Sequence, residues 1–291
     1  MTAAAETAPV KRRANGFTAT RIIGWAVMGL WIVLGLALVW KLSSDFDADF
    51  FGRYAPRMLG LDSFPFDWRR SGEGLVMTVT IVFWTMLLGG ILSLPVAMAR
   101  MSRNKVIGTL AYCYVYFFRG TPLLAQTYLI YYGAGQENLR VWFQDMNLWW
   151  FFRDAFYCVI LAFTLNEAAY LAEIVRGAIE GVPIGQREAA KSLGLSRTVT
   201  FWKIIVPQAM ILALRPFGNE IIYTIKASAV ASVVTVLDLM GITRLAYARS
   251  FNFDAYLWAA LIYLAIVELL RRVWDRLEIH LTRHLSYDTG K

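Results

Sequence analysis

Apolar positions fall in long runs along this chain, separated by short polar stretches. The runs cover 22–40, 74–99, 106–133, 155–178, 208–237 and 254–273. A membrane-crossing helix needs roughly 20 mostly apolar residues, so the pattern predicts an all-α integral membrane protein with six transmembrane helices. Gly120 and Pro122 interrupt the third run, and Pro216 and Gly218 the fifth. The first run follows Lys11, Arg12, Arg13 and Arg21, a pattern that signal peptides share. Its length argues for an uncleaved helix. So do the Lys41, Leu42 and Asp45 that follow it without a small-residue cleavage pattern.

Charge in the connecting loops orients the spans. The N-terminal stretch, 100–105 and 271–291 carry a basic excess, and 179–207 holds Arg187, Lys191, Arg197 and Lys203 against Glu180 and Glu188. The opposite loops are balanced or acidic: 41–73 has five basic and six acidic residues, and 134–154 has Glu137, Asp145 and Asp154 against Arg140 and Arg153. Threading six spans in order puts every basic loop on one side, which predicts cytoplasmic termini. The loop 134–154 is dense in Trp and Phe and reads as an interfacial segment on the external face, with a docking surface for an external partner as the alternative.

Composition agrees. Of 291 residues, 58% are hydrophobic and only 17% charged, away from the balance of soluble domains. The excess of 29 Lys and Arg over 21 Asp and Glu is used up by the cytoplasmic loops, so nucleic acid is not needed to explain it. Cys113 and Cys158 lie in apolar runs and His280 and His284 in the polar tail, which leaves no disulfide framework and no metal site. No cofactor is expected.

The stretch 179–207 reads as helix, turn, helix. Pro183 suits a first helical position, 186–193 are mostly good helix formers, and Gly194 can end the helix in the left-handed conformation. Ser196 offers an N-cap for a second helix carrying Phe201, Trp202, Ile204 and Ile205, which Pro207 is expected to close. Small Ala189 and Ala190 beside Glu188 suit a short knob fitting a groove on a cytoplasmic partner; a folded connector is the plainer reading.

The spacing Glu188, Ala189, Ala190, three residues, Gly194, nine residues, Ile204, Val206, Pro207 resembles the coupling loop of bacterial ABC importer permeases. Val206 stands where that family usually has Leu. FRGTPLLAQ (118–126), AYLAEIVRG (169–177) and Asn219, Glu220, Ile221 followed by Lys226 and Ser228 resemble the polar amino-acid uptake branch. The M-type subunits of histidine, arginine and opine permeases are the most similar. The resemblance spans about 72–285. It implies a type I importer permease fold with a five-helix core, to which the helix at 22–40 is an addition of undetermined role. The expected organisation is an N-terminal region, 1–72, a permease domain, 73–285, with the coupling loop at 179–207, and a cytoplasmic tail, 286–291.

Ionisable residues deep in a bilayer are costly and so are functional candidates. Asn166 and Glu167 lie near the middle of the fourth span, roughly 17 Å from its outer end at 1.5 Å per residue. Asn166, Tyr170 and Glu173 share one helical stripe, and Glu173 could pair locally with Arg176. Related permeases more often carry a small or hydroxyl residue at Glu167, so its carboxylate suggests a cationic substrate group or a buried ion pair. Glu220 and Lys226 on the fifth span could bind an amino acid's ammonium and carboxylate, or neutralise neighbours. Arg119 precedes a helix break that could aim backbone dipoles at a ligand or serve as a structural tie. Gln126, Tyr131 and Tyr132 could line an entrance or anchor the interface. The expected substrate ligands are therefore Asn166, Glu167, Tyr170, Arg119, Gln126, Glu220 and Lys226; the expected ATPase-coupling residues are Glu188, Ala189, Ala190, Gly194 and Pro207.

The chain has no glycine-rich Lys-Ser/Thr loop for ATP phosphates, so it is expected to be a transport subunit and not an enzyme. The resemblance implies two cytoplasmic ABC ATPase subunits, a second permease of the Q type, a periplasmic substrate-binding protein and a bacterial inner membrane. The cargo implied is a polar, basic or opine amino acid. A stand-alone ion-coupled carrier using Glu167, Glu220 and Lys226, and a membrane enzyme, are the alternatives. The first shows no inverted repeat and the second no nucleophile–base constellation.

Overall fold

A computed structural model describes residues 16–44, 48–61 and 72–282. The basic cluster at Lys11 to Arg13, the loop 62–71 and the tail 283–291 with His284 lie outside the described residues. The chain divides into two compact units, Met1–Asp49 and Phe50–Lys291. The first contains α1 (Gly16–Ser44), a 29-residue helix with exposed apolar side chains on every face, among them Trp25, Trp31, Leu34 and Leu36. A helix hydrophobic all round needs lipid or protein around it.

The second unit begins within α2 (Ala48–Met58) and is helical throughout its described residues. It continues with α3 (Gly74–Arg100), α4 (Lys105–Gly120), α5 (Leu123–Ala134), α6 (Glu137–Asp145), α7 (Trp149–Phe152), α8 (Ala155–Glu180), α9 (Ile184–Ser192), α10 (Arg197–Thr200), α11 (Val206–Ala227), α12 (Leu239–Ser250) and α13 (Asp254–Thr282). Among the described residues, three helical stretches are long and apolar enough to cross a membrane: Gly74–Arg100, Ala155–Glu180 and Arg197–Val234.

The core forms where α3 and α8 pack. Met77 and Ile81 of α3 meet Val159, Ile160, Ala162 and Phe163 of α8, closed by Ala231, Val234 and Val236 after α11. Close approach is possible because Gly89 has no side chain: a Cβ there would stand 3.0 Å from the Glu167 Cγ and 3.4 Å from the Ala168 backbone nitrogen. The third apolar run is broken as its sequence predicts, α4 ending at Gly120 and α5 starting after Pro122.

Two proline expectations need correction. Pro207 does not close a helix: α10 passes through a π-turn at Phe201–Ile205 directly into α11. The wider turn gives room for a ring that would otherwise press on the carbonyl four residues back. Nor do Pro216 and Gly218 interrupt the fifth run, for α11 continues through both. There the helix is held from outside, by the Trp274 indole donating to the Leu214 carbonyl at 3.0 Å and by Arg215 Nε 3.2 Å from Glu278. The last helix runs nine residues beyond the apolar run that predicted it, to Thr282.

α12 has no counterpart among the predicted elements. It is capped by Asp238, wholly buried, whose carboxylate accepts from the Gly241 amide at 2.9 Å and lies 3.3 Å from the Tyr263 hydroxyl. Leu239 N donates to the Thr78 hydroxyl at 3.1 Å, and Gly74 N to the Leu237 carbonyl at 2.8 Å. This polar knot ties the start of α3 to α12 and α13. Around it Met58, Leu239, Ile242 and Ala259 make a second small core.

Candidate functional site

The break between α4 and α5 leaves backbone carbonyls without helical partners, and two buried amides take them up. Gln126 Nε2 donates to the Phe118 carbonyl at 2.9 Å and lies within 3.1 Å of the Thr121 carbonyl. Asn166 Nδ2, arriving from α8, donates to the same Phe118 carbonyl at 2.8 Å and to Gln126 Oε1 at 3.0 Å. Buried polar groups so satisfied fix local geometry. Both residues, expected as substrate ligands, thus spend their side chains on holding the break.

What they hold in place is Arg119, on the last turn of α4. Its guanidinium lies 5.1 Å from the centroid of the Tyr170 ring, within cation–π range. Among the described residues it makes no hydrogen bond and no ion pair. Two cavities, of about 510 and 650 Å³, share Arg119, Tyr170 and Glu173 in their walls. The first extends along α4 past Arg100, Tyr112 and Thr121. The second runs down to Gly181 and Leu212 and has Asn219 and Glu220 of α11 in its wall. The Glu220 carboxylate also has no hydrogen bond or ion pair among the described residues, and the Arg119 charge is near enough to act on it.

Glu173 is differently placed. Its carboxylate is clamped by Arg100 Nε at 3.0 Å and by Arg176 at 2.8 Å, while Arg176 also reaches Glu180 at 2.6 Å. The local pair with Arg176 was legible from their spacing; the bond to α3 was not.

The remaining expected ligands stand apart from these cavities. Glu167 is 3% exposed and packs against Gly89 of α3 and Thr224 of α11. The Thr224 hydroxyl oxygen lies 2.8 Å from Glu167 Oε2 and 2.9 Å from the Glu220 backbone carbonyl. Lys226 is exposed on α11, on a stripe with Arg215, Asn219 and Tyr223 that borders the second cavity at Asn219, and it has no bonding partner among the described residues.

The loop at 179–207 folds as helix, turn, helix. Gly194 has φ of +70°, and the turn carries both bonds of a Schellman cap: Gly194 N to the Lys191 carbonyl and Leu195 N to the Ala190 carbonyl, each 3.0 Å. Ser196 then caps α10 by accepting from Val199 N at 3.3 Å. Glu188 and Ala189 are exposed on α9, but Ala190 is 1% exposed and faces inward, which corrects its expected place on the knob's contact surface. Ala178, Val182, Ile205 and Ala209 form the apolar seat beneath, and Arg187 donates to the Ile179 carbonyl at 2.8 Å.

Residues 86–278 match the family described as binding-protein-dependent transport system inner membrane component. The nopaline transport system permease protein of Agrobacterium fabrum is 38% identical over 214 residues, covering 73% of this chain and 88% of that protein. The histidine/lysine/arginine/ornithine transport system permease protein of Escherichia coli is 36% identical, covering 73% and 89%. A crystal structure of an amino acid ABC transporter with histidines superposes with a TM-score of 0.69 at 30% identity, over 81% of this chain and 99% of that one. The inward-facing MetNI methionine ABC transporter, at 18% identity and TM-score 0.58 over 70% of this chain and 93% of that one, shares the fold. A capped knob on the loop at 179–207, a broken helix beside a charged cavity and these matches lead to one conclusion: the chain belongs to the family of inner-membrane permease components of binding-protein-dependent ABC importers.

Proposed function

We propose that this permease carries polar amino acids into the cytoplasm, basic amino acids or opines in particular. The observation that carries this reading is the pair of unpaired opposite charges, Arg119 and Glu220, in the walls around Tyr170. An amino acid brings one carboxylate and one ammonium. Arg119 offers a planar fork of donors for the first and Glu220 an acceptor for the second. Asn219 lies in the same wall. The basic and opine cargo named for the similar permeases agrees with a site whose unpaired carboxylate is Glu220.

The same reading extends to topology and partners. Six spans with both termini in the cytoplasm put α9 on the inner side, where Glu188, Ala189 and the Gly194 turn meet one of two ATPase subunits. ATP hydrolysis belongs to those subunits. A periplasmic binding protein delivers the cargo. A second permease chain of the Q type covers the exposed stripe of α11 that carries Lys226, since a lysine at membrane depth is costly without a partner. Two identical chains related by an axis along the membrane normal keep every residue at its own depth. At the depth of Lys226 an identical chain places another Lys226 and no acceptor. A related but different chain can place an acceptor there.

Competitive uptake into vesicles holding the complete importer, with arginine, histidine, glutamate and glutamine as competitors, tests the cargo. Inhibition by arginine and histidine is expected, and inhibition by glutamate alone overturns the basic-cargo reading.

A further inference from the structure

Glu167 is a titratable side chain that the transport site leaves unused. It sits where α3, α8 and α11 meet, 3% exposed, with its Oε1 lacking a hydrogen-bond partner among the described residues. No cation is within ion-pair distance among the described residues, and α3 carries no ionisable side chain before Arg100. Lys226 is exposed on α11 and makes no ion pair with Glu167, and Glu220 presents another carboxylate.

Counting protons then decides the chemistry. The Thr224 hydroxyl has a single proton, yet two oxygens lie at bonding distance: Glu167 Oε2 at 2.8 Å and the Glu220 carbonyl at 2.9 Å. An ionised Glu167 would take that proton and remain a buried charge with one hydrogen bond, a costly state in a low-dielectric site. With its proton on Oε2, Glu167 donates to Thr224, and Thr224 donates to the Glu220 carbonyl. Each short contact then has one donor and one acceptor. Oε1 becomes the carbonyl oxygen of a neutral acid, whose lack of a partner costs far less than a buried charge.

We propose that Glu167 is a neutral carboxylic acid that, through Thr224, holds the turn of α11 bearing Glu220, and so is a positioning residue and not a ligand of the cargo. The effect on transport rests on Glu220 serving the cargo site, as proposed above; the protonation of Glu167 does not.

The test uses the complete importer reconstituted in lipid. A wild-type minus Glu167→Gln difference infrared spectrum at neutral pH should show the carbonyl stretch of a protonated carboxyl group. Glu167→Gln, whose amide can donate to Thr224, should keep assembly and uptake of cationic cargo close to wild type. Thr224→Val should move the carboxyl band to higher frequency and lower maximal uptake about tenfold, the effect of one lost hydrogen bond, with assembly intact. Absence of the protonated band overturns the proposal, as does selective loss of cationic uptake in Glu167→Gln. Should Glu167→Gln fail to assemble, an unmoved carboxyl band in Thr224→Val overturns it. A band present and shifted as expected, with normal uptake in Thr224→Val, would sink the Glu220 cargo role and leave the neutral acid standing.

Discussion

Arg119 is held from behind by its own backbone: the Phe118 carbonyl accepts from both Asn166 and Gln126, so two buried amides on different helices fix where the next residue starts. The guanidinium is left free for a ligand. Arg119→Gln should lower uptake by roughly ten- to a hundredfold, the range for losing a charge-assisted contact of about 1.5–3 kcal/mol, while Arg119→Lys recovers some of it. Uptake into reconstituted vesicles measures this, and an unchanged rate in Arg119→Gln would remove the residue from the site. Sequence spacing identified Arg119, Tyr170 and Glu220 as candidates, but it named Asn166 and Gln126 with equal weight. Residue type alone does not separate an amide that binds cargo from one that satisfies a broken helix.

At the scale of elements, the knob at α9 depends on one left-handed residue. Gly194→Val places a β-branched side chain at φ of +70°, at a cost of about 1–3 kcal/mol, in a turn with open space around it. The expected outcome is an importer that assembles yet hydrolyses ATP without moving cargo; normal transport per ATP would deny the knob its coupling role. The Asp238 knot is a second element-scale joint. Asp238→Ala removes the α12 cap and leaves the Tyr263 hydroxyl without that acceptor, so a loss of about 2–4 kcal/mol is expected. A thermal melt of the purified complex checks it, and a melting temperature indistinguishable from wild type would show the knot to be incidental. This joint was hidden in the sequence because its members, Thr78, Asp238 and Tyr263, are far apart in the chain. Asp238, an N-cap residue type, stands directly before α12.

At the scale of the whole molecule, the exposed polar stripe of α11 that carries Lys226 is the face on which the proposed second permease packs. Two differently tagged copies of this chain, expressed with the rest of the importer, should not co-purify if the second permease is a different chain. Their co-purification would establish identical pairing.

The sequence by itself determined the class of the protein, the apolar runs, the break at Gly120 and Pro122, and the capped turn at Gly194. Each rests on short-range physics: lipid excludes charge over a span of some 20 residues, and turns are set by the residues within them. Only the tertiary structure decided which polar groups share a space. Glu167 and Glu220 are both carboxylates at membrane depth, yet the approach of α3 at Gly89 buries one against Thr224 and leaves the other in the cavity wall. The same is true of Pro207 and Pro216, where a π-turn and the Trp274 contact overrode the local rule. Helix rotation and crossing are set by contacts between distant segments, and the spacing along one segment does not contain them.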